Sequence, residues 1–372
     1  MTKKKAMIYP VDRESLPLIR YNDLLEEYDV IYTVSPKGWG FCGKDCGVLD
    51  GGKEINKTIT DDFDTALNLC QCVIFVESDM VIDFEEMIFP KIEKALNDGK
   101  DIVCTIEIPD KFKERIEKLC EIKDGRFKQY TKENKFDFKL IDKEYIFDIN
   151  VPVIGVFGTT ERTGKFDIQL ALREKFINQG YKVSQIGTKH YSEIMGFHSF
   201  PKFMVNCGMN ESNKVMLFNH YVKNIELTEK PDIILIGVPG GVMPYNNNYT
   251  NKFGILAFEV CNAVQFDSVV MSTLYEDYDE RYFTTMHESL KYKLGLEIDA
   301  FNITPLKGDF KMLDFTNRFG FLTLDSDFID DKIRKFNNLD FKIFNILNEK
   351  NKEDLAEYLI DKLSSYSDIQ AI

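Results

Sequence analysis

The chain has 372 residues, 44% of them apolar and 29% charged, which is enough for about two domains and too apolar for wholesale disorder. Its 61 acidic residues against 47 basic ones leave a net charge of −14, the wrong sign for a general nucleic-acid or anionic-membrane binder. No apolar run reaches the roughly 18–20 residues that a bilayer span needs. Nothing behind the basic start reads as a signal peptide, and the eight cysteines are scattered as reduced thiols would be, so a cytoplasmic location is expected.

In chain order, Lys5–Val11 reads as a strand and Glu14–Glu27 carries helical spacing through Leu16, Leu18, Ile19, Leu24 and Leu25. Val30–Val34 is a short β-rich run, Asp62–Leu69 a helix and Cys72–Val76 a buried strand. Phe84–Asn97 is an amphipathic helix stopped by Gly99, and Asp101–Ile108 is another strand. This alternation predicts a parallel, Rossmann-like sheet. Gly125–Asn150 lacks helical period and reads as a hairpin or insertion. A fresh α/β pattern starts at Val151, so the expected domains are residues 1–148 and 149–372. In the second, Val151–Phe157, Tyr181–Ile186, Asp232–Ile236, Ser268–Leu274, Glu297–Ile303 and Phe341–Leu347 read as strands. A helix runs to about Gln179 with Gly180 as its stop, and the chain ends in a helix over Lys352–Leu363 with Asn351 as cap.

The sharpest motif is Gly158-Thr159-Thr160-Glu161-Arg162-Thr163-Gly164-Lys165, between a strand and a helix. There, successive backbone N–H groups can wrap a phosphate and the helix N-terminus adds positive potential. Lys165 would reach the terminal phosphates as a point charge. Two features depart from the common pattern. Five residues, not four, separate Gly158 and Gly164, and Phe166 follows the lysine where a Mg²⁺-binding hydroxyl usually stands. Asp167 is acidic but projects in another direction on the helix. The bland alternative is a glycine-containing turn with an exposed lysine.

The string GTTERTGK resembles the phosphate loop of dethiobiotin synthetase-like proteins, and a family of two-domain proteins places a Rossmann-like domain before such a domain. Some of those proteins are described as amino-acid N-acetyltransferases. The whole chain resembles the peptide maturation system proteins of clostridial natural-product clusters, through YPVDRESLPLIRY, VSPKGWGFCGKD, VIFVESD, GTTERTGKFDIQLALRE, QIGTKHYSEIMGFHSFPKF and ILIGVPGG. The resemblance implies an α/β protein with a Rossmann-like N-terminal domain and a P-loop NTPase-like C-terminal domain with a mainly parallel sheet. It implies a precursor peptide or maturation enzymes as partners, with a radical S-adenosylmethionine maturase nearby, and ATP, another nucleotide or coenzyme A as ligand. Position by position, Gly158, Thr159, Gly164 and Lys165 match the synthetase-like loop. Lys189 falls where that family has a lysine on substrate and phosphate, and Gly240-Gly241 resembles its terminal glycine pair. Gly237 stands where it has an acidic Mg²⁺ ligand, so both metal anchors are missing. Asn302 falls near its adenine-reading position.

Other constellations carry two readings each. Ser35–Gly47 holds the only Trp (Trp39) and a Cys42-x3-Cys46 pair; it is an anion, redox or metal site, or a packed loop. Glu77-Ser78-Asp79 binds a hydroxyl or ammonium group, or caps a helix. His190, Glu193 and His198 act in catalysis or hold a metal, or are ordinary loop residues. Gly240–Pro244 with Asn246–Asn248 reads as a mobile loop, closing over a ligand or merely connecting. Glu276–Glu280 reads as a helix entry. The expected function is an accessory role in maturing a ribosomally made peptide, with Lys165 and Lys189 on a phosphate ligand held by residues 158–167. The alternatives are an ATP-dependent ligase or amino-acid N-acyltransferase, and a non-catalytic peptide-binding scaffold.

Overall fold

A computed structural model describes residues 2–123, 125–130, 145–205, 208–247, 249–309, 320–336 and 339–369. The chain forms two units: Met1–Glu133 with His190–Gly196, and Asn134–Lys189 with Phe197–Ile372. The division comes earlier than the expected 148/149 boundary. Residues 145–150 bond to a helix of the second unit: Asn219 exchanges bonds of 2.8 and 2.9 Å with the Phe147 backbone, and Glu226 accepts the Asn150 N–H at 2.8 Å. The insertion expected over Gly125–Asn150 falls largely on 131–144, outside the described residues.

The first unit is built on β1 (Lys4–Tyr9), β2 (Tyr28–Val34), β3 (Ile59–Thr60), β4 (Cys72–Phe75), β5 (Asp101–Cys104) and β6 (Phe127–Gln129). All pair in parallel, in the order β3-β2-β1-β4-β5-β6, the doubly wound order in which the sheet reverses direction at β1. Helices α1 (Leu16–Arg20), α2 (Phe63–Leu69), α3 (Phe89–Asn97) and α4 (Asp110–Lys123) connect them. Met7, Tyr9, Val73, Phe75, Phe89, Ile92 and Ile102 meet in the core between the sheet and its helices. The single helix expected over Glu14–Glu27 is instead a short α1 between two 3₁₀ turns. Asn22 is the reason: its side chain accepts the Val30 N–H at 2.7 Å and donates to Asp29 at 2.9 Å, diverting the chain into the strand. Helix α4 has no counterpart in the sequence reading, since it buries only Phe112 and Ile116.

The second unit holds β7 (Val153–Gly158), β8 (Val183–Gly187), β9 (His198–Ser199), β10 (Ile233–Gly237), β11 (Ser268–Leu274), β12 (Ala300–Thr304) and β15 (Lys342–Phe344). They form a parallel sheet in the order β15-β12-β11-β7-β10-β8-β9. A hairpin of β13 (Leu306–Asp309) and β14 (Gly320–Thr323) stands apart. Helices α5 (Lys165–Asn178), α6 (Glu211–Glu229), α7 (Ile255–Ala263), α8 (Glu280–Leu294), α9 (Ser326–Ile333) and α10 (Glu349–Ile369) complete the unit. The central strands are buried along their whole length, the mark of a sheet covered on both faces. Asp279 caps α8, as the acidic run at 276–280 predicts. The last helix starts earlier than expected, because Asn348, not Asn351, accepts the N–H groups of its first turn. Among the described residues no helix is long and apolar enough to cross a membrane.

In the first unit Arg20 grips Asp50 with two nitrogens, at 2.8 and 3.2 Å, and reaches the Gly47 carbonyl at 3.3 Å, with both side chains nearly buried. Removing the cation strands a buried carboxylate. Arg20→Met is therefore expected to lower unfolding free energy by about 3–5 kcal/mol, read by urea denaturation.

Candidate functional site

Strand β7 is the middle of the second sheet, with β10 on one side and β11 on the other. The loops leaving the carboxyl ends of these three strands converge, as ligand-binding loops do in open α/β sheets. The Thr159 N–H donates to Ser272 O at 2.9 Å and the Val242 N–H to Gly158 O at 3.1 Å. The glycine loop thus sits between the ends of β10 and β11.

Within the loop, Arg162 (φ +61°) and Gly164 (φ +74°) are left-handed, whereas Thr163 between them is not. Such alternation turns successive N–H groups toward one concavity, a nest suited to an anion. Helix α5 begins at Lys165, directly behind it. Thr159, Thr160, Thr163, Lys165 and Phe166 are buried; Glu161 and Arg162 are exposed, with the Arg162 guanidinium 5.3 Å from the Phe321 ring.

Lys165 is not an exposed lysine. Its Nζ donates to Thr160 O at 2.8 Å and to Gly240 O at 2.9 Å, folded back beneath its own loop. Gly158 makes this possible, since a Cβ there would lie 2.9 Å from Nζ and 2.4 Å from Thr163 Oγ1. Burial pulls the Lys165 pKa from 10.5 down to about 7; Glu161 pulls the other way and Lys189 adds to the depression. A neutral amine has two N–H donors, and the two carbonyls account for both. Lys189, singled out from sequence, is therefore close enough to act electrostatically on Lys165.

Several residues that complete this arrangement were not singled out from sequence. Asn251 donates to Thr159 O (2.9 Å) and Met243 O (2.8 Å) and accepts from Thr160 Oγ1 (2.9 Å), tying the glycine loop to the loop after β10. It opens a run of left-handed residues, Asn251, Lys252, Phe253 and Gly254, with φ from +49° to +70°. Each non-glycine residue in that region costs about 1–2 kcal/mol. Thr273, at the end of β11, receives the Thr159 hydroxyl at 3.2 Å and meets the hydroxyls of Tyr278 (2.9 Å) and Tyr282 (3.3 Å), whose rings stack at 3.9 Å. A lone Asn or Thr carries no periodic signal, so only the fold could bring these to the loop.

At the end of β10, Gln169 lies across Gly237. Its Nε2 donates to Ile186 O at 2.8 Å and its Oε1 accepts from Thr188 N at 3.3 Å. A Cβ on Gly237 would stand 2.2 Å from that Oε1. Asn302 is also committed: it donates to Ser272 Oγ at 2.9 Å and accepts from Ile346 N at 2.9 Å, holding β12 to its neighbours rather than presenting its amide. Gly240 acts through its carbonyl, on Lys165.

Asp45 organises the Ser35–Gly47 loop, accepting from Gly47, Ile55 and Lys57 N–H groups at 2.8–2.9 Å. Cys42 is exposed, whereas Cys46 is buried with its thiol pushed up to about 11, unlike a reactive or ligating thiol. Ser78 and Asp79 do not cap a helix; Ser78 Oγ and Asp79 N both donate to Asp12, at 2.6 and 2.7 Å, and Asp83 is the cap. His190 meets Thr105 O at 2.9 Å in the first unit, while His198 pairs with Glu229 in the second. No group of three His, Cys, Asp or Glu side chains placed to hold a metal occurs among the described residues.

Gly237→Ala should expel the Gln169 amide and destabilise the protein by about 1–3 kcal/mol in chemical denaturation. A bound phosphate needs the charged lysine, so above pH 7 binding must take up a proton. The dissociation constant for a phosphate ligand should rise toward tenfold per pH unit above about pH 7 and flatten below it. Lys165→Arg should remove that slope, because arginine stays charged; calorimetry across pH 7–9 reads both.

No family model and no curated protein matches the chain. Among solved structures it is similar to a DUF1611 family protein from Anabaena variabilis, with a TM-score of 0.61 and 11% identity over 96% of this chain and 100% of that one. At that identity the likeness speaks for the two-domain α/β fold alone.

Proposed function

We propose that the protein is an accessory factor in maturing a ribosomally made peptide and binds a phosphate-bearing ligand, a nucleotide or coenzyme A, through residues 158–167. The observation that carries the phosphate reading is Lys165: a buried amine behind a left-handed turn at the start of a helix, held by two carbonyl oxygens that it can exchange for phosphate oxygens. Lys189 supplies the second positive charge. The link to a precursor peptide and its maturation enzymes rests on the sequence resemblance.

The scaffold alternative has one observation in its favour. Phe166 and Gly237 stand where phosphoryl-transfer loops of this kind anchor their metal, and neither offers a ligand oxygen from its side chain. A protein could keep the nest for binding after losing turnover. An ATP-dependent ligase or an N-acyltransferase would instead yield a product whose rate of formation depends on Lys165.

Calorimetric titration with ATP, GTP, acetyl-coenzyme A and coenzyme A decides among these. The expected result is saturable binding of at least one, weakened by about tenfold or more in Lys165→Ala, a loss of roughly 1.4 kcal/mol. A folded sample that binds none of the four overturns the phosphate reading. Binding without any product on addition of an amine or a precursor peptide favours the scaffold.

A further inference from the structure

A phosphate loop of this type is expected to work with Mg²⁺, and the residues around this one do not fit the ion. Mg²⁺ asks for near-octahedral oxygen ligands, of which the protein ordinarily gives one hydroxyl after the lysine and one strand-end carboxylate. The first position is Phe166, 3% exposed, with its ring centre 6.0 Å from that of Phe197. The second is Gly237, and the space its side chain would need is filled by the Gln169 amide. That amide is fully buried and neutral, and both its ends are spent on the Ile186 carbonyl and the Thr188 N–H. Ser272, the hydroxyl at the end of β11, is committed as well: it donates to Thr163 O and accepts from Asn302. Among the described residues, Glu161 lies on the exposed turn beside Arg162, and Asp167 brings its Oδ2 within 3.8 Å of the place a Cβ on Gly164 would take, at the loop's glycine rather than at either of the two anchor positions. The positive charge of the site comes instead from Lys165 and Lys189, which act on each other electrostatically.

We infer that this loop takes its ligand without a divalent cation, and that the ligand class is a mono- or diphosphate rather than a magnesium triphosphate. Charge matching sets the class. A terminal phosphate carries about −1.5 to −2 at neutral pH, which two lysines and the nest of N–H groups can balance. Each further phosphate adds roughly one negative charge, so a diphosphate, at about −3, comes close to the two lysines and the helix N-terminus taken together, whereas a triphosphate, at about −4, exceeds them by more than one charge unless a metal accompanies it. Gln169 is the specificity-determining residue, because its amide occupies the place of the strand-end acid and closes the metal position.

This inference rests on the phosphate reading above, and its test separates the two. The intact chain is titrated with inorganic pyrophosphate at pH 7.5, once in EDTA and once in excess Mg²⁺, with Mg²⁺ alone and tripolyphosphate as further titrants. The expected result is binding in EDTA that Mg²⁺ leaves within threefold or weakens, and weaker binding of tripolyphosphate in EDTA. Mg²⁺ tightening pyrophosphate binding more than threefold, or tripolyphosphate binding more tightly than pyrophosphate in EDTA, overturns the inference and leaves the phosphate reading standing. No binding in either buffer by a folded sample overturns both. Gln169→Glu restores a carboxylate beside Gly237. It is expected to weaken binding in EDTA at least tenfold and to regain part of it with Mg²⁺; EDTA binding equal to the parent's contradicts the role given to Gln169.

Discussion

The buried amine of Lys165 is the constraint around which the second unit's loops are arranged. A lysine so deeply buried is tolerated only when its donors are satisfied, and here they end on carbonyls from two different loops. One belongs to its own turn and the other to the loop after β10. That pair of bonds explains why Gly158 has no side chain, why Gly240 presents its carbonyl and why Asn251 is fastened across both loops. It also sets the titration of the amine, since burial disfavours its charged form and brings its pKa down to about 7.

The strained run from Asn251 to Gly254 belongs to the same economy of forces. Three non-glycine residues in left-handed conformation are costly. Three side-chain hydrogen bonds from one asparagine offset part of that cost, and the position of the turn fixes where the loop after β10 begins and ends. Gln169 plays the matching role at the other edge of the site, bridging α5 to the end of β8 across the bare backbone of Gly237. The glycine loop is therefore braced by neutral amides on both sides.

Much of the fold was legible in the sequence because parallel strands buried on both faces are written as short apolar runs. Ser268–Leu274 matches β11 residue for residue, and β7, β8 and β10 lie within two residues of their expected ends. Helix α4 was missed because its buried residues, Phe112 and Ile116, are too few to make a period, and Glu14–Glu27 misled because Asn22 competes with helical spacing. For the site, Gly158–Lys165 was visible as strand, glycine turn and helix start in register. Asn251, Gln169 and Thr273 were not, since each is tens of residues from the loop or hidden within a helix, and what makes it matter is a single hydrogen-bonding side chain. The domain boundary slipped for a related reason: residues 145–150 attach to α6 largely through their backbone groups, and the contact of the Phe147 ring with His220 is one that no periodicity announces.

The first unit owns a short piece of chain, His190–Gly196, that is encoded after the second unit has begun. His190 closes on Thr105 and Tyr191 reaches Glu14 there. On the ribosome, the sheet from β1 to β6 emerges complete, yet its last segment follows roughly 60 residues later, about 3–12 seconds at common translation rates. The order of synthesis and the order of assembly therefore differ: the first unit waits, unfinished, while β7, the glycine loop, α5 and β8 are made. Neither unit can be recovered intact by cutting the gene once, and any attempt to express the first alone has to supply that segment by permutation.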